Sequence, residues 1–325
     1  MNRVEISVAM CTYNGARYLS SQLESIAAQS ELPTELVVCD DRSSDKTPQI
    51  LEEFVHAAQF PVRLVHNPKN LGFTGNFEKA IGLCSREIIA LADQDDVWHP
   101  DKLERIGEVF ARDRTVGAVF SDAELIDADS RTLAKTLWDS VSFSQRAQDK
   151  FLSGEGLKVM LKHPVVTGAT MAFRTEFKDL ALPIPVGQIH DHWVALLVAS
   201  VSQITPIKDP LIQYRRHAAQ QIGPGNKVSP WQRISKRKRR DEYLAEADQF
   251  NQVEQRLRDR SFVFRPHSDA LRMIEEKITH RRARGGLPSS RLMRIPSLLR
   301  EVATLRYWRY SNGLGSVAKD LLVQI

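Results

Sequence analysis

Asp93, Asp95 and Asp96 place three carboxylates within four residues. Such groups repel one another unless a cation or hydrogen bonds compensate them. Oxygen-only ligation suits Mg²⁺ or Mn²⁺, ions that commonly bridge a protein carboxylate to phosphate oxygens. The alternative is that Asp95 or Asp96 caps a helix beginning near Pro100. The metal reading is preferred because the cluster follows a strand-like run, Glu87–Ala92, instead of lying on a surface helix. Other polar groups follow strand-like runs in the same way: Thr12-Tyr13-Asn14-Gly15, Asp40-Asp41-Arg42-Ser43-Ser44, and Asn67 with Asn70-Leu71-Gly72-Phe73.

These groups need a scaffold that gathers them. Val4–Met10, Glu35–Cys39, Val62–His66, Glu87–Ala92 and Val116–Phe120 are rich in β-branched and apolar residues and recur at the spacing of strand–helix units. Between them Ala16–Gln29, Thr47–Ala58, Thr74–Cys84 and Pro100–Arg112 repeat apolar residues at helical spacing, with Pro48 and Pro100 where a first turn tolerates them. The alternation implies an α/β fold, a Rossmann-like and mostly parallel sheet flanked by helices, whose ligands bind at the carboxyl ends of the strands. Further on, Asp127–Gln148 reads as a long polar loop, Lys150–Lys162 as a helix, Val165–Phe173 as a strand, Asp191–Val201 as a helix and Leu211–Tyr214 as a strand. Gly223-Pro224-Gly225-Asn226 marks a boundary between a first domain, residues 1–225, and a helical extension, residues 226–325.

As a set these residues resemble the family 2 inverting glycosyltransferases with the GT-A fold. The likeness rests on Ile6-Ser7-Val8 running into Thr12-Tyr13-Asn14, the Asp40–Asp45 turn, Asn70-Leu71-Gly72-Phe73 with Asn76, and Ala92-Asp93-Gln94-Asp95-Asp96-Val97-Trp98 leading into Pro100 and Lys102-Leu103-Glu104. The Asp-Gln-Asp-Asp form followed by Val-Trp resembles the bacterial rhamnosyltransferase-type members. The resemblance implies that Thr12, Tyr13 and Asp41 hold the nucleotide base and ribose, with Asn14, Asn70 and Asn76 on the same donor side. Asp41 could also cap a turn before Ser43-Ser44. Asp93 and Asp95 correspond to the family's Asp-x-Asp motif, which implies metal ligation by Asp95, with Asp93 near the ribose or a bound water. Val166-Thr167-Gly168-Ala169-Thr170-Met171 resembles the segment lining the acceptor side, where Gly168 would let a sugar approach the backbone; a strand bulge is the alternative. His190-Asp191-His192-Trp193 resembles the acid-Asp motif, with His190 where many members have Glu. That implies Asp191 as general base and His190 and Trp193 beside the acceptor, although an acid at a helix start also meets the helix dipole. In Tyr214-Arg215-Arg216-His217 the resemblance implies His217 as a metal or diphosphate ligand and either arginine as balance for the leaving charge.

The chain has 325 residues, 42% hydrophobic and 26% charged, enough for a buried core. No apolar run approaches a membrane span, the best being Trp193–Val201, and the N-terminus lacks a signal peptide's pattern. Cys11, Cys39 and Cys84 show no metal spacing, so buried thiols in the cytoplasm are expected. The net charge of +5 is uneven: residues 231–310 hold 20 basic against 10 acidic side chains, whereas residues 1–230 hold 24 against 29. The basic part includes Lys236-Arg237-Lys238-Arg239-Arg240 and Arg281-Arg282-Ala283-Arg284, with Trp231, Tyr307, Trp308 and Tyr310 nearby. An anionic inner-membrane surface suits it better than nucleic acid, for which no motif accompanies the charge, and a plain solvated helix face is the alternative. Together with the acid cluster, the resemblance implies a Mg²⁺- or Mn²⁺-dependent transferase using a dTDP- or UDP-linked sugar, rhamnose first, and a glycan or lipid-linked acceptor. Its rivals are a nucleotidyltransferase and a non-catalytic module binding through the basic tail.

Overall fold

A computed structural model describes residues 3–217 and 236–322. Strands β1 (Ile6–Thr12), β2 (Glu35–Asp40), β3 (Val62–His66) and β4 (Ile88–Ala92) run parallel in the order β3-β2-β1-β4. Helices α1 (Leu19–Ala27), α2 (Thr47–Ala57) and α3 (Gly72–Leu83) connect them. Alternate strand residues face opposite sides. Val8, Met10, Leu36 and Val38 join Leu19, Leu23 and Leu51 in one core, while Ala9, Val37, Cys39 and Leu91 join Phe77 and Ala80 in the other. The three cysteines are unpaired and buried. Register then places the polar groups: Thr12 lies opposite Asp40, Asp40 opposite His66 and Met10 opposite Ala92. The segments after all four strands therefore emerge side by side.

Beyond β4 the sheet is mixed. β5 (Val97–Trp98) leads into α4 (Lys102–Arg112) and β6 (Val116–Ile126), and β7 (Thr132–Thr136) pairs with the end of β6. Short helices α5 (Leu137–Ser140), α6 (Gln145–Leu152) and α7 (Gly156–Met160) precede β8 (Met171–Arg174), which lies antiparallel between β4 and β6. After α8 (Lys178–Ala181) and α9 (His190–Val201), β9 (Gln203–Arg215) runs parallel to β6 and carries β5 on its outer edge. A strand entering antiparallel begins where its parallel neighbours end. The 3₁₀ turn Gly168–Thr170 before β8 thus reaches the edge that carries Asp93, and β9 delivers Arg215, Arg216 and His217 to it.

Several segments differ from the sequence expectation; of Val165–Phe173, expected as one strand, only Met171–Phe173 lies in a strand, with the 3₁₀ turn Gly168–Thr170 before it. Asp127–Gln148 contains β7, α5 and the start of α6. β7 is an almost fully exposed edge strand, so no apolar alternation marks it. The Thr136–Asp139 capping box that opens α5 was the legible signal. Lys150–Lys162 is two helices, parted at Gly154, whose φ of 81° an L side chain rarely adopts. Leu211–Tyr214 is only the end of the 13-residue β9.

Helices α10 (Lys236–Asp259) and α11 (Ala270–Gly285) extend the core that holds Ala9, Val37 and Phe77: Ala247, Phe250, Val253, Leu257, Ile274 and Ile278 pack in one cluster with Trp193 and Phe177. Helices α12 (Arg291–Ala303), α13 (Arg306–Tyr310) and α14 (Leu314–Leu322) enclose a small third core of Leu287, Leu298 and Tyr307. The expected boundary at Gly223-Pro224-Gly225-Asn226, Trp231 and the side chains of Lys236-Arg237-Lys238-Arg239 lie outside the described residues. Two expected surface features are interior instead. Arg284 is buried against Asp320 (2.6 Å), and the buried Tyr307 and Tyr310 donate their hydroxyls to Asp320 (2.8 Å) and Glu276 (2.9 Å). Their polar ends have partners within the helix cluster, so these two rings do not form an exposed aromatic surface, whereas Trp308 is 40% exposed. Among the described residues no helix is long and apolar enough to cross a membrane.

Candidate active site

At the end of β1, backbone geometry is set by side chains from other strand ends. Tyr13 N–H donates to Gln94 Oε1 (2.8 Å), and Gln94 Nε2 donates back to Tyr13 O (3.1 Å). Gly15 makes room for this clasp, since a Cβ there would lie 2.1 Å from Gln94 Oε1. Asn14 holds a left-handed φ of 48°, donating its N–H to Ser43 Oγ and accepting from Ser44 N–H, both at 2.8 Å. Thr12 Oγ1 donates to Asp40 Oδ1 (2.9 Å).

The two acids after β2 divide their work. Asp40 accepts from Ser43 N–H (3.0 Å) and Ser43 Oγ (2.5 Å), so it is the turn cap that the sequence allowed for Asp41. Asp41 accepts from Asn67 Nδ2 (2.9 Å), Leu71 N–H (2.7 Å) and Gly72 N–H (2.9 Å), fixing the start of α3 while still lining the cleft. Asn70 Nδ2 donates to Asp41 O (3.2 Å). Asn76, expected on the donor side, lines the cleft and also braces it: its amide donates to Cys39 O and accepts from Asn67 Nδ2, both at 2.8 Å, and it is 2% exposed.

Asp95 and His217 meet directly, with Oδ2 2.7 Å from Nε2. β5 beside β9 brings them together, because it runs Asp95 and Asp96 alongside the end of that strand. Arg215 is buried: its N–H donates to Asp96 Oδ1 (2.9 Å), its Nε to Asp95 O (2.8 Å) and its Nη1 to Ser130 Oγ (2.7 Å). It also packs over the Tyr18 ring at 4.6 Å, and His217 lies on the same ring at 4.9 Å. Arg215 therefore shapes the acid turn, and both it and the half-buried Arg216 stand outside the cleft lining. Burial, then Asp95 and Asp191, push the Asp93 carboxyl well above the usual range. Burial, then Asp95 and Asp93, raise Asp96 too. Lys102, fully buried, donates to Ala169 O (2.8 Å), and burial pushes it down to about 7.

A Mg²⁺ or Mn²⁺ fits this donor set. Carboxylate charge is crowded and under-compensated, and Asp95 with His217 offers an oxygen and a nitrogen ligand at one point. Among the described residues no three His, Cys, Asp or Glu side chains form a cage, so Asp93 is not a third ligand in the geometry seen. Mg²⁺ characteristically keeps waters and substrate phosphates in its remaining positions, which suits a two-ligand site.

Asp191 opens α9. Its Oδ2 accepts from Gly168 N–H (2.8 Å) and its Oδ1 from His192 N–H (2.6 Å). His190 is buried, stacked on Phe77 at 3.9 Å, with both ring nitrogens unpartnered; burial lowers its pKa. The other acceptor-side expectations move inward. Trp193 is fully buried and donates Nε1 to Ala181 O (2.7 Å), and Ala169 and Thr170 are buried behind Gly168, leaving Val166, Thr167 and Gly168 as the lining. All these elements bound one cleft of ≈ 1500 Å³, which contains Thr12, Tyr13, Asn14, Asp41, Asn70, Asp93, Asp95, Asp191 and His217 together.

A family model described as Glycosyl transferase family 2 matches residues 7–179, more than half of the chain. The chain belongs to that family. This family 2 member is 28% identical over 219 residues to an uncharacterized glycosyltransferase of Nostoc sp., a match covering 66% of each chain. Uncharacterized mycobacterial relatives match at 28% over 59% of their length. A dTDP-rhamnosyl transferase of Shigella flexneri is 33% identical over 99 residues, 29% of this chain and 34% of its own. The matches thus span two thirds or less of those relatives. Among solved structures, S. aureus TarS in complex with UDP-GlcNAc aligns at TM-score 0.56 and 17% identity, covering 94% of this chain and 89% of that one. A mannosyltransferase from Pyrobaculum calidifontis, in complex with GDP-Man and Mn²⁺, aligns at 0.52 and 18%, covering 99% and 88%. The fold is GT-A, with helices added at its C-terminus.

Sequence reasoning missed Gln94, Tyr18 and a second wall of the cleft from α10 and α11: Glu242, Glu246, Phe250, Lys277 and Arg281. A signal for that wall existed. Lys277 and Arg281 share the inward face of α11 with Ile274 and Ile278, where a solvated charge would not be placed.

Proposed function

We propose that the cleft is the centre of a divalent-metal-dependent inverting glycosyltransferase, moving a sugar from a nucleoside diphosphate to a hydroxyl of a glycan or lipid-linked acceptor. The observation that carries this is the presence of the Asp95–His217 pair and Asp191 in one hollow. Tyr13, Asn14 and Asp41 sit where a nucleoside would lie, at the ends of β1 and β2. Asp95 and His217 would hold the metal, which supplies Lewis-acid stabilisation of the departing diphosphate, on the order of several kcal/mol. Asp191 takes the proton of the acceptor hydroxyl while that oxygen bonds to the anomeric carbon. The bond from sugar to phosphate breaks with its electron pair going to the nucleoside diphosphate. A hydroxyl is a far weaker acid than a carboxylic acid, so the proton moves late. Gly168 N–H and His192 N–H keep the carboxylate oriented throughout.

A dTDP-rhamnosyl donor comes first, supported by the Asp93–Trp98 segment and the Shigella match, and a UDP-hexose second. Surface polysaccharide or lipopolysaccharide synthesis on the cytoplasmic side is the setting. Residues 1–225 carry the chemistry, and residues 226–325 contribute the acceptor wall and a membrane-facing surface. For that surface, α12 leaves Leu292, Met293, Ile295 and Leu299 exposed beside Arg291 and Arg300. Apolar side chains flanked by arginine suit an anionic bilayer surface. A nucleotidyltransferase is disfavoured because Thr12-Tyr13-Asn14-Gly15 stands where a glycine-rich loop with a lysine would be expected. A thermal-shift panel of nucleotide sugars, with Mn²⁺ or with EDTA, tests the reading. One donor should raise Tm with Mn²⁺ and lose that effect in EDTA. No shift with any donor would contradict it.

A further inference from the structure

Beyond Asp191 the cleft runs into a wall that takes no part in the donor side. His192 follows Asp191 in α9, and its ring meets Phe250 of α10 edge-on, 6.2 Å between centroids. Next to these lie Lys277 and Arg281, one helical turn apart on α11, with Lys162 and His163 after α7. Lys277 Nζ (3.0 Å) and Arg281 Nη2 (2.8 Å) both contact the same oxygen, Glu246 Oε1. One carboxylate serves two cations. Lys162 has no acidic partner among the described residues, and Glu242, exposed at the rim, is the only other acid of this wall. Arg281 Nε and His192 Nε2 are buried with no hydrogen-bond partner. Burial first, then neighbouring positive charge, lowers His163 and Lys162, and burial with Arg281 pushes Lys277 down to about 7. Gathered cations disfavour their own charged forms until an anion joins them.

We propose that this wall is an acceptor subsite for a phosphate or diphosphate group carried near the reacting hydroxyl. The idea rests on the reading that Asp191 faces the acceptor. An arginine fork and two ammonium groups are the donors a phosphate recruits, and His163 can add a neutral N–H. A neutral glycan end would leave this charge uncompensated.

Calorimetric titration of inorganic pyrophosphate into the full chain, with EDTA present, tests the subsite, because the donor side then lacks the ion that grips a diphosphate. Saturable binding is expected, weakened about tenfold or more in Lys162→Gln and in Arg281→Gln by loss of a charge-assisted contact, and retained in His217→Ala. Lys162→Gln breaks no ion pair, so it keeps the test valid if Arg281→Gln misfolds. Absence of pyrophosphate binding, or binding lost in His217→Ala and kept in both wall variants, overturns the proposal. Displacement by farnesyl diphosphate supports a lipid-linked source of the phosphate, and displacement by glucose 1-phosphate a soluble one; displacement by neither overturns it. Nucleotide-sugar binding by the unmodified chain with Mn²⁺ is read separately. Its presence without pyrophosphate binding refutes this subsite alone and leaves the transferase reading standing.

Discussion

The backbone N–H of Gly168 donates to Oδ2 of Asp191 at 2.8 Å. A carboxylate at the start of α9 is thereby aimed by the turn that precedes β8. A Cβ at position 168 would lie 3.0 Å from His190 Nε2 and 3.2 Å from Asp191 Cβ. The sequence suggests that this glycine leaves room for a sugar; in the structure the acid and its neighbouring histidine occupy that room.

Gly168→Ala should therefore act on chemistry and not on the donor. Displacing Asp191 by a fraction of an ångström is expected to lower kcat about 10- to 100-fold. Donor Kd should stay within about twofold. Steady-state kinetics alongside donor titration checks both, and a change confined to donor Kd would refute the aiming role.

Gly15→Ala and Gln94→Ala should produce one phenotype. Each removes the two hydrogen bonds between the Gln94 amide and Tyr13 backbone, the first by occupying the amide's place. About 1–2 kcal/mol of stability and a weaker donor affinity are expected from either. In the double variant the effects should not add. Additive losses in a denaturant-melt cycle would mean that the clasp is not the shared cause.

How much of this was legible in the residues depends on what each signal meant physically. The strand ends could be read because apolar runs closed by Asp40-Asp41 and by Asp93-Gln94-Asp95-Asp96 mark where a parallel sheet presents its ligand edge. Asp191 and His217 were found through the resemblance, and they do reach that edge. Asn76, Trp193 and Arg215 carried the right types in the right motifs, yet their polar atoms are satisfied inside the chain. Motif spacing reports proximity to a site and says nothing of which way a side chain turns. β7 was hidden for a related reason: its exposure follows from its place at the sheet's edge beside β6, and although the helical face of α11 marked Lys277 as inward, its partner Glu246 could not be read from spacing.

Removing the metal pair should abolish metal-linked donor binding. Asp95→Asn or His217→Ala is expected to lose the Mn²⁺-dependent rise in Tm given by the best nucleotide sugar. kcat/KM should fall by roughly 100-fold or more, the loss of several kcal/mol of Lewis-acid stabilisation. A Mn²⁺ response of normal size in both variants would place the ion elsewhere.

Acid should destabilise the fold through His190. Burial lowers its pKa, so the unfolded chain takes up a proton that the folded chain refuses. Its contribution is complete above the ordinary imidazole value of about 6.5 and is lost as pH falls from there toward the lowered folded value, with a slope of at most about 1.4 kcal/mol per pH unit. His190→Phe, which keeps the stack on Phe77, should flatten part of that decline. Denaturant melts of both proteins from pH 7.5 to 5 decide it; parallel curves would clear His190.

Membrane attachment through α12 predicts flotation with vesicles containing acidic lipid, reduced by salt. Leu292→Glu with Leu299→Glu, at positions 78% and 62% exposed, should abolish flotation while leaving Tm within a few degrees. Undiminished flotation would assign any binding to another surface.

The decisive measurement pairs turnover with donor affinity in Asp191→Asn, where a carboxamide keeps the side chain's size but cannot take a proton. Transfer from the best nucleotide sugar should fall by at least about 100-fold, in line with loss of a general base, while donor Kd with Mn²⁺ stays within about threefold of the unmodified protein. Turnover retained at more than about a tenth of the original rate, with donor binding intact, would contradict Asp191 as the base.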